Sequence, residues 1–415
     1  MTDLQQRLFD ALRQAEVIDA HEHLFPEKER VALDVDATML FSHYCETDLI
    51  TSGMPPEDFR KMKDLSLPAD YRWSLLSPHL PNVRHGSYAR AGFLAARELW
   101  GFEDIGDANH AEVTAKMREH NTPGLYRRIL RDKCNIRRAL TQCGRTDVEE
   151  PGTEDPLLIP VIWLWPINEA RAPEAFQVLG SQVDLVINTV DDLVEAAERR
   201  LVRWKEEGAV GVKLISQDFG DVDRAEAVSL FGKIRAGTAG EVPANNPLRS
   251  YITYWALKLA AKHNLTVAVH TGMWGDFRTL DPKWMIPVVE RHRETRFDIY
   301  HAGMPWVRET GVIGKNNPNV WLNLCWCHII SQRMTVSLMD EWMDLVPINK
   351  ILGFGGDYNL PVEKVVGHHW MAMENLSEVL SARVERGHLT EDQALEIGKM
   401  WLFDNAKNCY PLLPV

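Results

Sequence analysis

The stretch Val17-Ile-Asp-Ala-His-Glu-His-Leu24 is an apolar run that ends in two histidines, His21 and His23. Side chains of a strand alternate between its two faces, so these imidazoles point the same way while Glu22 points oppositely. Two imidazoles on one face suit the ligands of one metal ion. The alternative is a pair of packing or hydrogen-bonding histidines. The stretch therefore predicts a strand with a candidate metal site at its end.

The overall composition is that of a globular protein. Of the 415 residues, 45% are hydrophobic and 25% are charged, and no apolar run is long enough to span a bilayer. A chain of this length is long for one core. A closed α/β barrel with an insertion nevertheless reaches that size as a single domain.

Charge and cysteine content narrow the class of partner. The chain has 46 basic and 59 acidic residues, which gives a net charge of −13, and it has no basic cluster. This composition disfavours binding to nucleic acid or to anionic membranes. The six cysteines are scattered without a Cys-x-x-Cys motif, which indicates free thiols. The N-terminus lacks the basic start and apolar run of a signal peptide. We therefore expect a cytoplasmic protein with a small-molecule substrate. The sequence does not decide between a monomer and a homo-oligomer.

Short apolar segments alternate with amphipathic ones along the chain, as in parallel sheets whose strands are connected by helices. Eight segments are candidate strands: residues 17–23, 136–141, 158–164, 210–215, 266–270, 296–301, 320–324 and 351–354. Eight is the number of strands that closes such a barrel. The pattern predicts an α/β fold, a (β/α)8 TIM barrel.

The connection between the first two predicted strands is far longer than usual and should carry structure of its own. Residues 88–100 and 110–120 are amphipathic, which indicates helices. Connections that leave the C-terminal ends of barrel strands lie over the barrel mouth. We expect one barrel domain over residues 1–415, with a helical insertion at residues 36–132 over that mouth.

Metal-binding residue types recur at the C-terminal ends of the predicted strands. His270 and His301 close the fifth and sixth strands, and Asp357 follows two glycines after the eighth. Parallel barrel strands end at one face, so groups far apart in sequence meet there. Each residue alone has a structural alternative, a hydrogen-bonded histidine or a turn aspartate. Together they predict a metal centre.

Lys213 lies within the apolar fourth strand, where an ammonium group needs a partner because burying it alone is costly. Three interpretations stay open. The lysine carries a CO₂-derived carbamate that bridges two metal ions, or it binds an anionic group of the substrate. In the third interpretation the methylene groups of Lys213 pack against apolar residues while its ammonium group reaches solvent.

With these residues at its strand ends, the chain resembles the amidohydrolase superfamily of metal-dependent barrel enzymes. In that family the first histidine pair, the fifth-strand histidine and the eighth-strand aspartate hold a divalent metal, usually zinc. The resemblance therefore implies His21, His23, His270 and Asp357 as the ligands of a zinc ion, with manganese as the alternative.

Two segments are similar to the branch that contains amidohydrolase-related hydrolases, decarboxylases and uronate isomerases. They are Asn349-Lys-Ile-Leu-Gly-Phe-Gly-Gly-Asp357 and Asp404-Asn-Ala-Lys-Asn-Cys-Tyr-Pro-Leu412. Uronate isomerases also have a large helical insertion after the first strand and a tryptophan-rich seventh strand, here Trp321-Leu-Asn-Leu-Cys-Trp326. Tyr358 replaces their usual arginine, which removes the natural partner of a uronate carboxylate.

Hydrolysis of a small ester, lactone or amide-like bond by metal-activated water is the function we predict. Asp357 would take the proton of the water, His301 would hydrogen-bond the oxyanion or orient the substrate, and Lys213 would bind a substrate anion. The candidate residues of the pocket wall are Trp306, Trp326, Tyr358, His368 and His369. The alternatives are aldose–ketose isomerisation of a sugar acid, non-oxidative decarboxylation, and a non-catalytic metal-binding barrel.

Overall fold

Eight parallel strands form one sheet and pair in sequence order from β1 to β8. The structure, a computed structural model, describes residues 1–169 and 171–415. The strands have the following bounds: β1 Val17–Glu22, β2 Ile136–Thr141, β3 Leu158–Trp163, β4 Gly211–Ile215, β5 Thr266–His270, β6 Phe297–Ile299, β7 Val320–Asn323 and β8 Ile351–Leu352.

The sheet closes into a barrel where β8 ends. The Ala20 amide donates to the Phe354 carbonyl at 3.1 Å, and the His23 amide donates to the Tyr358 carbonyl at 2.9 Å. These bonds connect β1 to the chain that follows β8. The predicted (β/α)8 barrel is therefore confirmed.

Helices surround the barrel and fill its connections. The α-helices are α1 Asp3–Arg13, α2 Glu27–Val31, α3 Cys45–Thr51, α4 Pro56–Lys63, α5 Ala69–Leu76, α6 Leu80–Val83, α7 Ser87–Trp100, α8 His110–His120, α9 Trp165–Asn168, α10 Pro173–Gln182, α11 Val190–Glu206, α12 Arg224–Arg235, α13 Pro247–Lys262, α14 Ile286–Arg291, α15 Val307–Asn316, α16 Cys327–Ile330, α17 Gln332–Leu345, α18 Lys364–Glu385, α19 Glu391–Lys399 and α20 Asn405–Cys409. Short 3₁₀ segments lie at Ala37–Phe41, Phe277–Leu280, Pro282–Met285, Tyr300–Gly303 and Ile348–Lys350, and π segments at Arg127–Lys133 and Met400–Asp404. In the described residues, none of the helices combines the length and apolar composition needed to cross a membrane.

Strand β5 shows how alternation divides the barrel into layers. Val267 and Val269 belong to the core between the sheet and the helices, whereas Ala268 belongs to the cluster inside the barrel. His270 lies two residues after Ala268, so its side chain faces the barrel axis at the C-terminal end of the strand.

Strand β6 is shorter than the sequence predicts. It ends at Ile299 rather than at residue 301, because His301 and Ala302 have left-handed backbone angles, with φ of 63° and 52°. The chain therefore leaves the strand before His301. Strand β8 also ends early, at Leu352.

The connection from β1 to β2 consists of α2 to α8 with one 3₁₀ and one π segment. Several of its residues hydrogen-bond to the chain that follows β8. The Tyr44 hydroxyl donates to the Asp357 carbonyl at 2.7 Å, and Lys364 Nζ donates to the His43 carbonyl at 3.1 Å. These bonds hold part of the connection beside the C-terminal face of the barrel.

His328 makes folding stability depend on pH. Its Nε2 donates to the Gly353 carbonyl at 2.9 Å, and its Nδ1 accepts from Asn375 Nδ2 at 3.0 Å. Burial lowers the pKa of His328 to about 4, whereas an unfolded histidine titrates near ~6.5. Between these values the unfolded chain binds a proton that the folded chain does not. The contribution of His328 to stability is therefore full above about pH 6.5 and falls with pH toward about 4.

We expect the substitution His328→Gln to reduce this pH dependence. Between pH 7 and pH 5, the wild-type free energy of unfolding should fall by about 2 kcal/mol more than that of the variant. Urea denaturation at both pH values measures the difference. The exposed His388→Gln variant is the matched control and should keep the wild-type dependence. Equal losses in wild type and His328→Gln would show that His328 is not the group responsible.

Candidate metal centre

A cavity of about 420 Å³ lies at the C-terminal ends of the strands, and we call it the inner chamber. Its lining consists of His23, Phe25, His43, Tyr44, Gln142, Cys143, Gly144, Trp163, Lys213, His270, Trp274, Trp326, Asp357 and Asn359. Many of these residues lie at or just beyond strand ends, which meet at one face of a parallel barrel. Groups from distant parts of the sequence thus share one cavity.

Three of the four predicted metal ligands form a cluster here. Asp357 Oδ1 lies 3.0 Å from His21 Nε2 and 3.3 Å from His23 Nε2. One ligand atom from each residue lies within 4.8 Å of the others. Burial alone would raise the pKa of Asp357, but the neighbouring His21 and His301 hold it well below its usual range. The carboxyl group is therefore ionised at neutral pH.

Two acceptor atoms face each other in this cluster. His23 donates its Nδ1–H to the Gln142 carbonyl at 3.1 Å, and burial lowers the pKa of His23 to about 4. The ring is neutral, so Nε2 carries a lone pair. That lone pair lies 3.3 Å from Asp357 Oδ1, which is also an acceptor. A cation stabilises two such acceptors, and the set fits a divalent ion with nitrogen and oxygen ligands.

The turn that carries Asp357 has a left-handed backbone. Asp357 has a φ of 65°, a region that aspartate and asparagine enter more readily than most residues. Its amide donates to the His21 carbonyl at 2.8 Å. The carboxylate is thereby fixed beside His21 of β1 and His23, which directly follows β1 because the strand ends one residue before the predicted bound.

Two acidic residues of β1 hold this turn, and we call them the Asp19–Glu22 clamp. Asp19 Oδ1 accepts from the Gly356 amide at 3.1 Å, and Glu22 Oε2 accepts from the Tyr358 amide at 2.6 Å. Both acidic side chains are fully buried, and burial raises their pKa values, that of Asp19 to about 7. The clamp thus accepts hydrogen bonds from the two residues that flank Asp357.

His270 and His301 form a hydrogen-bonded pair. His301 donates its Nδ1–H to the Cys325 carbonyl at 3.2 Å, so its Nε2 accepts from His270 Nδ1 at 3.0 Å. This leaves His270 Nε2 as an acceptor, and it is buried without a hydrogen-bond partner in the described residues. His270 therefore lies outside the three-residue cluster. Both ring nitrogens of His301 are engaged, one by the Cys325 carbonyl and one by His270. The role of His270 as fourth ligand stays a prediction.

Lys213 lies deep in the barrel with 1% of its surface exposed, so its head group does not reach solvent. Its Nζ lies 3.3 Å from His21 Nε2 and about 5 Å from the ring centres of Trp163 and Tyr300. Burial lowers the pKa of Lys213 to about 8, an effect that Asp357 opposes. Lys213 lies beside His21 and lines the inner chamber, so its position is compatible with a carbamate that binds metal and with binding of a substrate anion.

Of the five predicted wall residues, only Trp326 lines the inner chamber. The others, Trp306, Tyr358, His368 and His369, lie outside its lining. The chain after β8 leads into α18, which buries both histidines against Phe354. Tyr358 is fully buried beside His368, and Trp306 contacts Phe277 instead.

Several lining residues have no counterpart in the sequence-based prediction. Gln142 directly follows β2 and Trp163 ends β3, so the rule that strand ends meet could have identified both. His43, Tyr44 and Trp274 belong to long connections. No periodic pattern marks such residues, because their positions depend on how the connections pack.

Comparison with known proteins finds a family model that matches nearly half of the chain. Residues 164–364 match the family model described as amidohydrolase. Protein fluG of Emericella nidulans is 25% identical over 207 residues, which make up 46% of this chain and 23% of fluG. The chain thus matches less than a quarter of the length of that relative.

Two solved structures share the fold over nearly the whole chain. Uronate isomerase from Thermotoga maritima has 15% sequence identity and a TM-score of 0.80, with 99% of this chain and 98% of that chain covered. Glucuronate isomerase from Caulobacter crescentus has 16% identity and a TM-score of 0.80, with 100% and 96% covered. At these identities the similarity shows the fold.

Proposed function

We propose that this chain is a member of the amidohydrolase superfamily and a metal-dependent hydrolase of a small ester, lactone or amide-like substrate. The observation that carries the proposal is the pair of facing acceptors, His23 Nε2 and Asp357 Oδ1, 3.3 Å apart at the barrel mouth. This arrangement supplies metal ligands and a proton-accepting carboxylate at the same point. Metal-assisted hydrolysis needs both.

The metal ion would be held by His21, His23 and Asp357, with His270 Nε2 as the fourth candidate ligand. Zinc is the ion we propose and manganese the alternative, since both accept imidazole and carboxylate ligands. When bound, such an ion acts as a Lewis acid on a carbonyl group and makes hydroxide available near neutral pH.

The residues around this site have separate roles in the proposal. Asp357 accepts the proton of the attacking water and returns it to the leaving group. Lys213 binds a carboxylate of the substrate through a charge-assisted hydrogen bond. His301 orients His270 rather than contacting the substrate, because the Cys325 carbonyl and His270 occupy its ring nitrogens.

Aldose–ketose isomerisation of a sugar acid is the second candidate, because uronate isomerases share the fold over nearly the whole chain. Among the described residues, however, arginine is absent from the lining of the inner chamber. A uronate carboxylate would therefore have to use Lys213. The cytoplasmic location and a homo-oligomer stay predictions.

A panel of substrates tests the proposal against its alternatives. The zinc-loaded protein is incubated with lactones, carboxylate esters, N-acyl compounds, glucuronate, and an aromatic and an enoic carboxylic acid. We expect acid to be released from at least one of the first three classes. Ketose from glucuronate would establish the isomerase instead, and CO₂ release from an aromatic or enoic acid would establish a decarboxylase. No turnover of any compound with metal bound would indicate a non-catalytic barrel.

Metal removal is expected to abolish hydrolysis and to lower the melting temperature. A ligand that binds only the folded state at 100 times its Kd adds about 3 kcal/mol of stability, which is lost on removal. Zinc added after chelation should restore both properties in the wild type and in the exposed control His388→Ala, but not in His23→Ala. Activity that survives complete chelation would contradict the proposal.

Elemental analysis of the same samples gives the number of metal ions. With Lys213 as a free ammonium group we expect one ion per chain. Two ions together with the mass of a carbamate on Lys213 would show that the lysine is a bridging ligand, and its anion-binding role would then be wrong.

A further inference from the structure

A second, larger cavity adjoins the inner chamber, and we call it the outer chamber. It has a volume of about 770 Å³ and lies between the β1–β2 connection and the loop after β5. Its lining shares five residues with that of the inner chamber: His43, Tyr44, Trp274, Trp326 and Asn359. A molecule that reaches the metal centre therefore has a second compartment next to it.

Nearly parallel aromatic rings line the boundary between the chambers. Tyr44 stacks on Trp326 with ring centres 4.6 Å apart and an interplanar angle of 28°. His43 and Tyr88 lie at 4.0 Å and 5.7 Å from the Tyr44 ring, at angles of 24° and 22°. We call these four residues the ring platform. Because these rings stack on one another, they form a packed aromatic wall, which a planar ring of a ligand can contact edge to face or at the outer face of the stack.

The backbone at the platform is held in an unusual conformation. Tyr44 and Trp326 both have a φ of 66°, which bulky side chains rarely adopt. Such residues persist where the surrounding structure holds them, and they cluster at functional sites. The Tyr44 hydroxyl also donates to the Asp357 carbonyl at 2.7 Å. The platform is thus linked directly to the metal centre.

Trp274 lies in both linings and is unusually exposed. Its surface is 59% exposed, although its ring centre lies only 5.4 Å from that of His270. The residue stands in the loop after β5 between Gly272 and Gly275, both with positive φ. A large aromatic side chain that is exposed beside a cavity offers contact area to a ligand at low entropic cost.

Charge is distributed differently in the two chambers. In the inner chamber, the hydrogen-bond partner of Lys213 Nζ is His21 Nε2 rather than a carboxylate. In the outer chamber, Lys63 pairs with Glu46 at 3.6 Å and Arg72 pairs with Asp36. Asp48, which also lines the outer chamber, has no ion-pair partner among the described residues. The inner chamber thus offers a donor to an anionic group, whereas the charges of the outer chamber disfavour one.

We propose that the substrate has two parts, a carboxylate near the scissile amide or ester bond and a planar aromatic group on the other side of that bond. The carboxylate and the bond occupy the inner chamber. The aromatic group stacks in the outer chamber against Trp274 and the ring platform. Hydrolysis adds water across the scissile bond and releases a carboxylic acid and an amine or alcohol. The cleavage rests on the proposed hydrolase function, whereas the binding of the aromatic group does not.

Two compounds that differ only in the aromatic group test this proposal, N-phenylsuccinamate and succinamate. Calorimetry gives the Kd of each for the zinc-loaded protein, and steady-state kinetics gives kcat and KM. We expect the phenyl compound to bind more tightly. The Trp274→Ala variant should raise its Kd and KM by about threefold to tenfold, the worth of one aromatic contact. For succinamate, which lacks the ring, the same variant should change Kd and KM by a smaller factor.

Two further variants separate stacking from loss of structure. Trp274→Phe keeps a planar ring and should restore most of the affinity. Trp255→Ala removes a tryptophan of α13 that lies outside both linings, and it should leave both Kd values unchanged.

The outcomes distinguish the two proposals. Tighter binding of the phenyl compound that depends on Trp274, but without cleavage, supports the aromatic subsite and counts against hydrolysis. Equal affinities for the two compounds, or equal effects of Trp274→Ala on both, would overturn the aromatic subsite even if both compounds are hydrolysed.

Discussion

Replacing Asp357 with asparagine is expected to reduce kcat by about 10³- to 10⁴-fold, the upper part of the range for loss of a general acid–base group. The amide matches the carboxylate in size but cannot accept the proton of an attacking water at neutral pH. The fold should survive the change. Asparagine also adopts left-handed backbone angles readily, and the φ at this position is 65°.

The matched control for this variant is Asp298→Asn. Asp298 is another fully buried carboxyl group of the barrel, and its Oδ2 accepts from the Tyr410 hydroxyl at 2.7 Å and from Asn323 Nδ2 at 2.9 Å. It does not line the inner chamber. Steady-state kinetics, metal content and circular dichroism are compared for both variants. Turnover of Asp357→Asn at the wild-type rate, with a native spectrum, would refute the role of Asp357 as proton carrier.

The barrel strands and the candidate ligands at their ends are predictable because they depend on local rules. Strand β5 reads as an apolar run that ends in His270, and it occupies the predicted residues. Alternation along a strand then sets which side chains face the barrel axis. The same rule puts His21 and His23 on one side of β1, and the closure of eight strands brings Asp357 to them.

The backbone turn at His301 is not predictable in the same way. His301 and Ala302 adopt positive φ without being glycine, so neither residue type signals the turn. Only the packed structure shows that the ring of His301 is engaged by His270 and the Cys325 carbonyl. Its expected contact with substrate therefore becomes a positioning role in our proposal.

The pocket wall depends on tertiary packing even more strongly. Tyr44 and Trp274 are 230 positions apart, and each lies in a connection with no regular period. They meet because both connections fold over the C-terminal face of the barrel. Nearness in sequence to Asp357 suggests His368 instead, but α18 carries that residue away from the chamber.

The Asp19–Glu22 clamp shows why side-chain direction alone is insufficient. The alternation rule places Asp19 on the side of the two histidines and Glu22 on the opposite side. Both acidic side chains nevertheless contact the turn after β8, and β1 has an irregularity between Asp19 and Glu22. The contact with the Tyr358 amide arises only when the chain after β8 closes against β1. Groups that orient metal ligands typically change metal affinity when they are altered. The clamp should therefore matter for metal binding without being a ligand.

Replacing Gly356 with alanine is expected to weaken zinc binding by about 10- to 100-fold, as for other changes behind metal ligands. A Cβ at this position would overlap Glu22 Oε1 and lie 3.3 Å from Asp19 Oδ2. The turn would have to move away from the clamp and would carry Asp357 with it. Overpacking of this kind costs about 1–3 kcal/mol, so the melting temperature should also fall. Gly356 lacks a positive φ, so backbone strain adds nothing to the effect.

The control for Gly356→Ala is the same substitution in open space, Gly232→Ala in α12. Among the described residues, no atom lies within 4 Å of a Cβ at Gly232, and alanine favours a helix over glycine by about 1 kcal/mol. This variant should bind zinc as the wild type does and melt at the same or a higher temperature. Competition with a chromophoric chelator gives the zinc Kd, and calorimetry gives the melting temperature. A folded Gly356→Ala protein with wild-type zinc affinity would mean that Asp357 is held in place without the clamp, because a displaced turn cannot keep its carboxylate beside His21 and His23.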